Sequence, residues 1–158
     1  MIVSDSTTLI ILWDLKRMEL LGNLFVLVRI PEAVYEELAA KSPVELPEYF
    51  SIEEVAEPEK IRELSPLLDR GEIEAILLAE RHGEPLIIDE KKGRKIAKNR
   101  GLRVIGLLGI LYLNVKKGYL SREEAEVFLK EAIAHGYRIA PGLIAEMFRA
   151  LDAENKGR

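Results

Sequence analysis

The apolar positions of the chain fall into short runs separated by stretches with helical spacing. Five runs read as strands: Ile2–Ser4, Phe25–Val28, Tyr49–Val55, Leu86–Ile88 and Leu102–Ile105. The first, second, fourth and fifth are almost unbroken, as strands covered on both faces are, whereas the third alternates and is expected at an edge. Between them, Thr7–Leu21 repeats apolar residues at helical spacing, and "PEAVYEELAAK" opens with Pro31, suited to a first helical turn. "GEIEAILLAERHG" stops on Gly83 and "KKGRKIAKNRG" on Gly101, the residue type that most readily ends a helix. Leu107–Lys117 follows, then a helix opened by Ser121 with Glu124 three residues on, a capping box, and a last helix after Pro141. Strands alternating with helices predict an α/β fold in three layers, a mostly parallel five-stranded sheet flanked by helices. The proline-rich stretch from Pro43 to Pro66 is read as a meandering connection inside one domain. That domain is expected to span residues 1–158, with the helices from about residue 121 as an appended part.

Composition narrows the class. With 48% hydrophobic and 32% charged residues, 158 in all, the chain has the material for one folded core and a strongly charged surface. No apolar run reaches the ~18 residues of a membrane span, and the N-terminus lacks a basic start and a small-residue cleavage site. A cytoplasmic protein with no membrane partner is the expectation. There is no cysteine, which excludes disulfides, thiolate metal sites and cysteine nucleophiles. Glutamine is absent and the charge comes mostly from Glu, Lys and Arg, a thermophile-like balance. The net charge of −4 argues against a uniformly basic nucleic-acid binder. Residues 91–103, "KKGRKIAKNRGLR", nevertheless carry basic residues and no acid, directly after a Glu-rich stretch from Glu45 to Glu90.

The chemistry lies in the acids. Asp5 follows an apolar run and precedes three hydroxyl residues and a second apolar run. A carboxylate buried there without a partner is costly. Open parallel sheets bind ligands beyond the carboxyl ends of their strands, which is where Asp5, Asp89 and Glu90 fall. At about 100° per residue, Glu37 shares the apolar face of its helix with Val34 and Leu38, while Glu32 and Glu36 lie opposite. Glu72 shares a face with Ala75, Ile76 and Ala79, whereas Glu74 falls with Leu78 and Arg81 on what reads as the more exposed side. Each acid alone has an ordinary explanation: Asp5 or Asp89 as a helix N-cap, Glu72 as a first-turn acid favoured by the dipole, Glu37 as a border residue. Together, four like charges need protons or a cation. Oxygen donors without His or Cys fit Mg²⁺ or Mn²⁺.

The segments "IVSDSTTLI", "IPEAVYEEL", "DRGEIEAILLAERHG" and "LIIDEKKGRKIAKNRGLRVIGLLGIL", in that order over residues 1 to about 120, resemble the PIN-domain family. They are most similar to its small prokaryotic members, among them toxins of VapBC-type toxin–antitoxin pairs. The resemblance implies a sheet in the order 3-2-1-4-5 and a metal-dependent nuclease acting on single-stranded or structured RNA. It implies Asp5 as the first acid, with Ser6 in the usual hydroxyl position, Glu37 as the second, Glu72 as the third, and Asp89 or Glu90 as the fourth. It also implies a small antitoxin partner and a homodimer. Two departures stand out: Glu72 where Asp is commoner, and Leu107 where many relatives have Thr.

On this reading Asp5, Glu37, Glu72 and Asp89 (or Glu90) bind one or two divalent ions that acidify and orient a water for in-line attack on phosphorus. Ser6 supports a ligand, and Lys91, Arg94, Lys95 and Lys98, at helical spacing, meet the phosphates, with Arg94 the foremost contact. The alternative is a catalytically weak or inactive PIN-like module that binds a protein. A receiver-like domain leaves Glu37 and Glu72 without roles, nucleotide-binding motifs are missing, and neither His82 nor His135 is set as a general base. His82, beside Gly83, reads as a helix C-cap.

Overall fold

The computed structural model describes residues 1–41, 43 and 45–156, with side chains as far as Glu154. Ser42, Val44, Gly157 and Arg158 lie outside the described residues. With them lie one position of the Pro43–Pro66 connection and the last two of the expected domain. The chain forms two compact units, Met1–Ile10 with Phe25–Gly106, and Ile11–Leu24 with Leu107–Arg158.

The first unit holds a five-stranded, all-parallel sheet in the order β3-β2-β1-β4-β5. Its strands are β1 (Ile2–Ser4), β2 (Val28–Pro31), β3 (Phe50–Glu53), β4 (Leu86–Ile87) and β5 (Val104–Ile105). Central β1 is wholly buried, as its unbroken apolar run requires. The alternating third run takes the β3 edge, as expected. The other edge strand, β5, is half-buried and not covered on both faces as its sequence implies. The second strand is displaced: Phe25–Leu27 lead in, and β2 begins at Val28. β2 accommodates Arg29 because the guanidinium bonds Glu84 at 3.1 Å and Glu53 at 3.0 Å. Pro31, expected inside the helix, is the last strand residue, where its missing N–H costs little.

Helices α1 (Ser6–Asp14), α2 (Glu19–Gly22), α3 (Glu32–Lys41), α4 (Pro58–Leu64), α5 (Arg70–His82), α6 (Lys91–Asn99), α7 (Leu107–Lys116), α8 (Arg122–Ala134) and α9 (Pro141–Lys156) complete the chain. The single helix expected over Thr7–Leu21 is interrupted. Lys16 stands at φ 59°, and the amides of Lys16 and Arg17 bond back to Trp13 and Leu12, a Schellman stop built without glycine. The expected meander hides α4, which opens with Pro58 in its first turn. Against the sheet, α5 carries the heart of the first core: Ile73, Ala75, Ile76 and Ala79 are all buried with Val3, Leu86 and Ile88. Burying one Ile or Leu side chain contributes roughly 1.5–3 kcal/mol. The small side chains at 75 and 79 permit close approach. Gly83 ends α5 in the left-handed region, φ 62°.

In the second unit α7 packs against α2, α8 and α9. Its buried Asn114 donates to the carbonyls of Leu20 at 2.9 Å and Ile110 at 2.8 Å, and accepts from Asn23 at 3.2 Å. The capping box of Ser121 and Glu124 starts α8 as the sequence predicts. Among the described residues no helix is long and apolar enough to cross a membrane.

Candidate active site

Asp5 leaves the carboxyl end of β1, its amide bonded to the Ile87 carbonyl at 2.9 Å. It is only 3% exposed, and its Oδ1 has no hydrogen-bond partner. Burial pushes its carboxyl up to about 7; a bond from the Ser6 backbone opposes this, and the charges of Asp69, Glu37 and Asp89 add to it. Asp5 is therefore not a satisfied cap. It is a buried acid facing other acids.

Two hydroxyls in the first turn of α1 hold two of those acids. Ser6 Oγ donates to Glu37 Oε2 at 2.8 Å, and Thr8, itself buried, donates to Asp89 Oδ2. Glu37 rises from the inward face of α3, as the helical spacing predicts. Burial raises its carboxyl above the ordinary range, the Ser6 bond and Lys41 oppose this, and Asp69 adds to it. The Glu37 carboxylate takes space that glycine leaves open at residue 71: a Cβ there would overlap Glu37 Oε1 and push it aside.

Glu72 has two jobs. Its Oε1 accepts the Asp69 amide at 3.1 Å while Asp69 Oδ1 accepts the Glu72 amide at 2.8 Å, a full capping box at the start of α5. Its Oε2 is buried and accepts no hydrogen bond among the described residues. Burial pushes the carboxyl up to about 8, against the bond to the Asp69 backbone and with the charges of Asp69 and Asp5. Oε2 points toward α6, where a Cβ on Gly93 would lie 3.0 Å from it and 3.4 Å from Glu90 Oε2. Glu74, expected on an exposed side, is instead buried, because Arg70 pairs with it and the Ala33 amide bonds it.

Asp89 and Glu90 divide the fourth position between them. Asp89 is the one whose charge acts on Asp5. A Cβ on Gly106 would stand 2.5 Å from its Oδ1. Glu90 caps α6, accepting the amides of Gly93 at 2.6 Å and Lys92 at 3.1 Å. Burial works against its charge, but those amides, and after them the Glu72 side chain, hold its carboxyl below the usual range. Arg94 is half-buried and donates through Nη1 to the Ile88 carbonyl at 2.9 Å, so one arm of the foremost expected phosphate contact is tied to the end of β4. Lys91, Lys95 and Lys98 are exposed and, among the described residues, join no ion pair.

The donor set is hard oxygen throughout, and Gly71, Gly93 and Gly106 each leave bare the space that a Cβ would take from a carboxylate. Among the described residues, no three His, Asp or Glu side chains form a closed group able to hold an ion. The arrangement offers a pair of buried oxygens that accept no hydrogen bond among the described residues, Asp5 Oδ1 and Glu72 Oε2, with Glu37 and Asp89 held beside them. That suits Mg²⁺, which binds through one or two carboxylates and keeps several waters.

A family model described as a PIN domain matches residues 1–153. The chain belongs to the PIN-domain family. The all-parallel sheet in the order 3-2-1-4-5 is the PIN arrangement. PIN domains are generally nucleases and typically use divalent metals, so the chain has a nuclease-type fold. A search of curated proteins gives no match. Within this PIN domain, sequence reasoning missed three residues. Asp69 was legible as the D-x-x-E of a capping box ahead of α5. Thr8 was visible only as one of three hydroxyls. Glu74 was assigned to the wrong side by helical phase. His82, expected as a helix cap, instead meets Glu53 Oε1 through Nε2 at 2.9 Å.

Proposed function

We propose that this PIN domain is a divalent-metal-dependent ribonuclease, with Asp5, Glu37, Glu72 and Asp89 as its metal-binding acids and Glu90 and Asp69 adding to their field. The observation that carries the reading is the pair of buried carboxylate oxygens, on Asp5 and Glu72, that accept no hydrogen bond among the described residues. A native fold tolerates such groups when something absent from the chain completes them. Mg²⁺ or Mn²⁺ is the cation that the oxygen donors fit. When bound, such an ion supplies an acidified water and offsets charge on the phosphate. The chain does the rest: Ser6 and Thr8 orient Glu37 and Asp89, the glycines keep the approach open, and the lysines of α6 draw in the RNA backbone. Lys91, Lys95 and Lys98 are its phosphate contacts, with Arg94 at the inner end.

Family membership and the resemblance of the four segments to VapC toxins support a toxin role with a small antitoxin partner, a homodimer and a cytoplasmic site of action. The match over residues 1–153 runs through both compact units and supports treating them as one domain. The test is melting with and without Mn²⁺. A preformed site raises Tm by mass action, by about 2.7 kcal/mol of stability at a hundredfold excess over Kd. Asp5→Asn should abolish the rise, and the wild type should cut RNA only with metal present. Identical melting with and without Mn²⁺ would favour the second reading, an inactive module that binds a protein, for which the lack of a closed three-acid group among the described residues speaks.

A further inference from the structure

Ile30 and Pro31 precede α3, and neither offers a side-chain acceptor to the first amides of the helix. The acceptor comes from another helix. Glu74 of α5, 5% exposed, takes the Ala33 amide on Oε1 at 3.4 Å, while its Oε2 is paired to Arg70. One turn earlier on α5, Gly71 faces Val34, whose Cγ2 would stand 3.5 Å from a Cβ there, and Glu37. Positions 71 and 74 share a face of α5, so α3 is held at two successive points. Glu37 follows Ala33 by four residues, one turn along α3, on which its carboxylate is delivered to Ser6 and the acidic site.

We propose that Glu74 is a positioning residue: its buried carboxylate caps α3 from across the fold and thereby sets the placement of Glu37 beside Asp5 and Glu72. A buried carboxylate is costly; here the Arg70 pair and the Ala33 amide both offset that cost. The inference rests on Glu37 as a metal-binding acid.

The test is Mn²⁺ affinity by calorimetry, together with metal-free Tm, for the wild type, Glu74→Ala, Glu74→Asp and Glu74→Gln, each repeated in a Glu37→Gln background. Partners that orient metal ligands typically cost 10–100-fold in affinity when removed. Glu74→Ala should therefore weaken Mn²⁺ binding roughly 10-fold. Glu74→Asp, which keeps the charge but cannot reach Ala33, should do the same and stands in if the alanine variant does not fold. Glu74→Gln, whose amide oxygen still accepts from Ala33, should restore most of the affinity. In the Glu37→Gln background Glu74→Ala should change affinity by less than about twofold, while Tm falls in both backgrounds. Wild-type affinity in Glu74→Ala and Glu74→Asp, or an equal loss with and without Glu37, would overturn the proposal. If Asp5→Asn abolishes binding while the Glu74 variants keep it, this inference fails alone. If the wild type binds no Mn²⁺, the metal reading fails and takes it down as well.

Discussion

Replacing Asp5 by Asn should stabilise the metal-free protein at alkaline pH, although it removes the most buried acid of the site. An acid whose carboxyl is raised on folding loses stability as pH climbs from its unfolded to its folded value. For Asp5 that window runs from 3.8 to about 7. Each tenfold weakening of an acid corresponds to about 1.36 kcal/mol. The charged side chain therefore costs the fold on the order of 4 kcal/mol at pH 8, and less than half of that at pH 5, where the folded state stays mostly protonated. With 3% of the residue exposed, solvent screening takes little away. The Asn variant avoids this cost, and Oδ1 has no bond to lose. Urea unfolding in EDTA at pH 5 and pH 8 measures it. The gain from Asp5→Asn should be larger at pH 8 by about 2–3 kcal/mol. Saturating Mn²⁺ at pH 8 should reverse the order of the two proteins. An Asn variant that is less stable than wild type by the same amount at both pH values, without metal, would refute the reasoning.

Other perturbations separate site from scaffold. Gly71→Ala should leave Tm unchanged or raise it, since Ala is favoured over Gly in a helix by about 0.5–1 kcal/mol, yet weaken Mn²⁺ binding because the new Cβ displaces the Glu37 carboxylate; calorimetry beside thermal melting reads both. Lys95→Ala with Lys98→Ala should weaken RNA binding evenly across sequences and lower the salt slope of log K by about one per lost phosphate contact, read by fluorescence anisotropy over a salt series. Asn114→Ala should lower stability by roughly 1–3 kcal/mol through the unpaired carbonyl of Leu20 and a small cavity, with Mn²⁺ affinity unchanged.

What the sequence made legible follows where local signals were strong. The unbroken run of β1, the glycine stop of α5 and the Ser121 box of α8 each have a single cause acting over a few residues. The misses have non-local causes. Arg29 hides β2 because the acids that neutralise it come from β3 and from Glu84, just ahead of β4. Lys16 ends α1 with neither Gly nor Pro to announce it. α4 is masked by the prolines around it. At the site, helical phase turned Glu37 and Glu72 inward but placed Glu74 outside, because one of its two partners, the amide of Ala33, lies on a different helix. Asp89 and Glu90 differ in their contacts, a distant hydroxyl of Thr8 on one and the amides of its own helix start on the other.

On the proposed function, two buried carboxyls hold a proton until a cation replaces it. Mn²⁺ titration near pH 7 in two buffers of different ionisation enthalpy counts the protons released per ion bound. With Asp5 near 7 and Glu72 near 8, roughly one proton should leave with each ion, and Asp5→Asn should abolish binding. Binding without proton release, or binding that survives in Asp5→Asn, would contradict it.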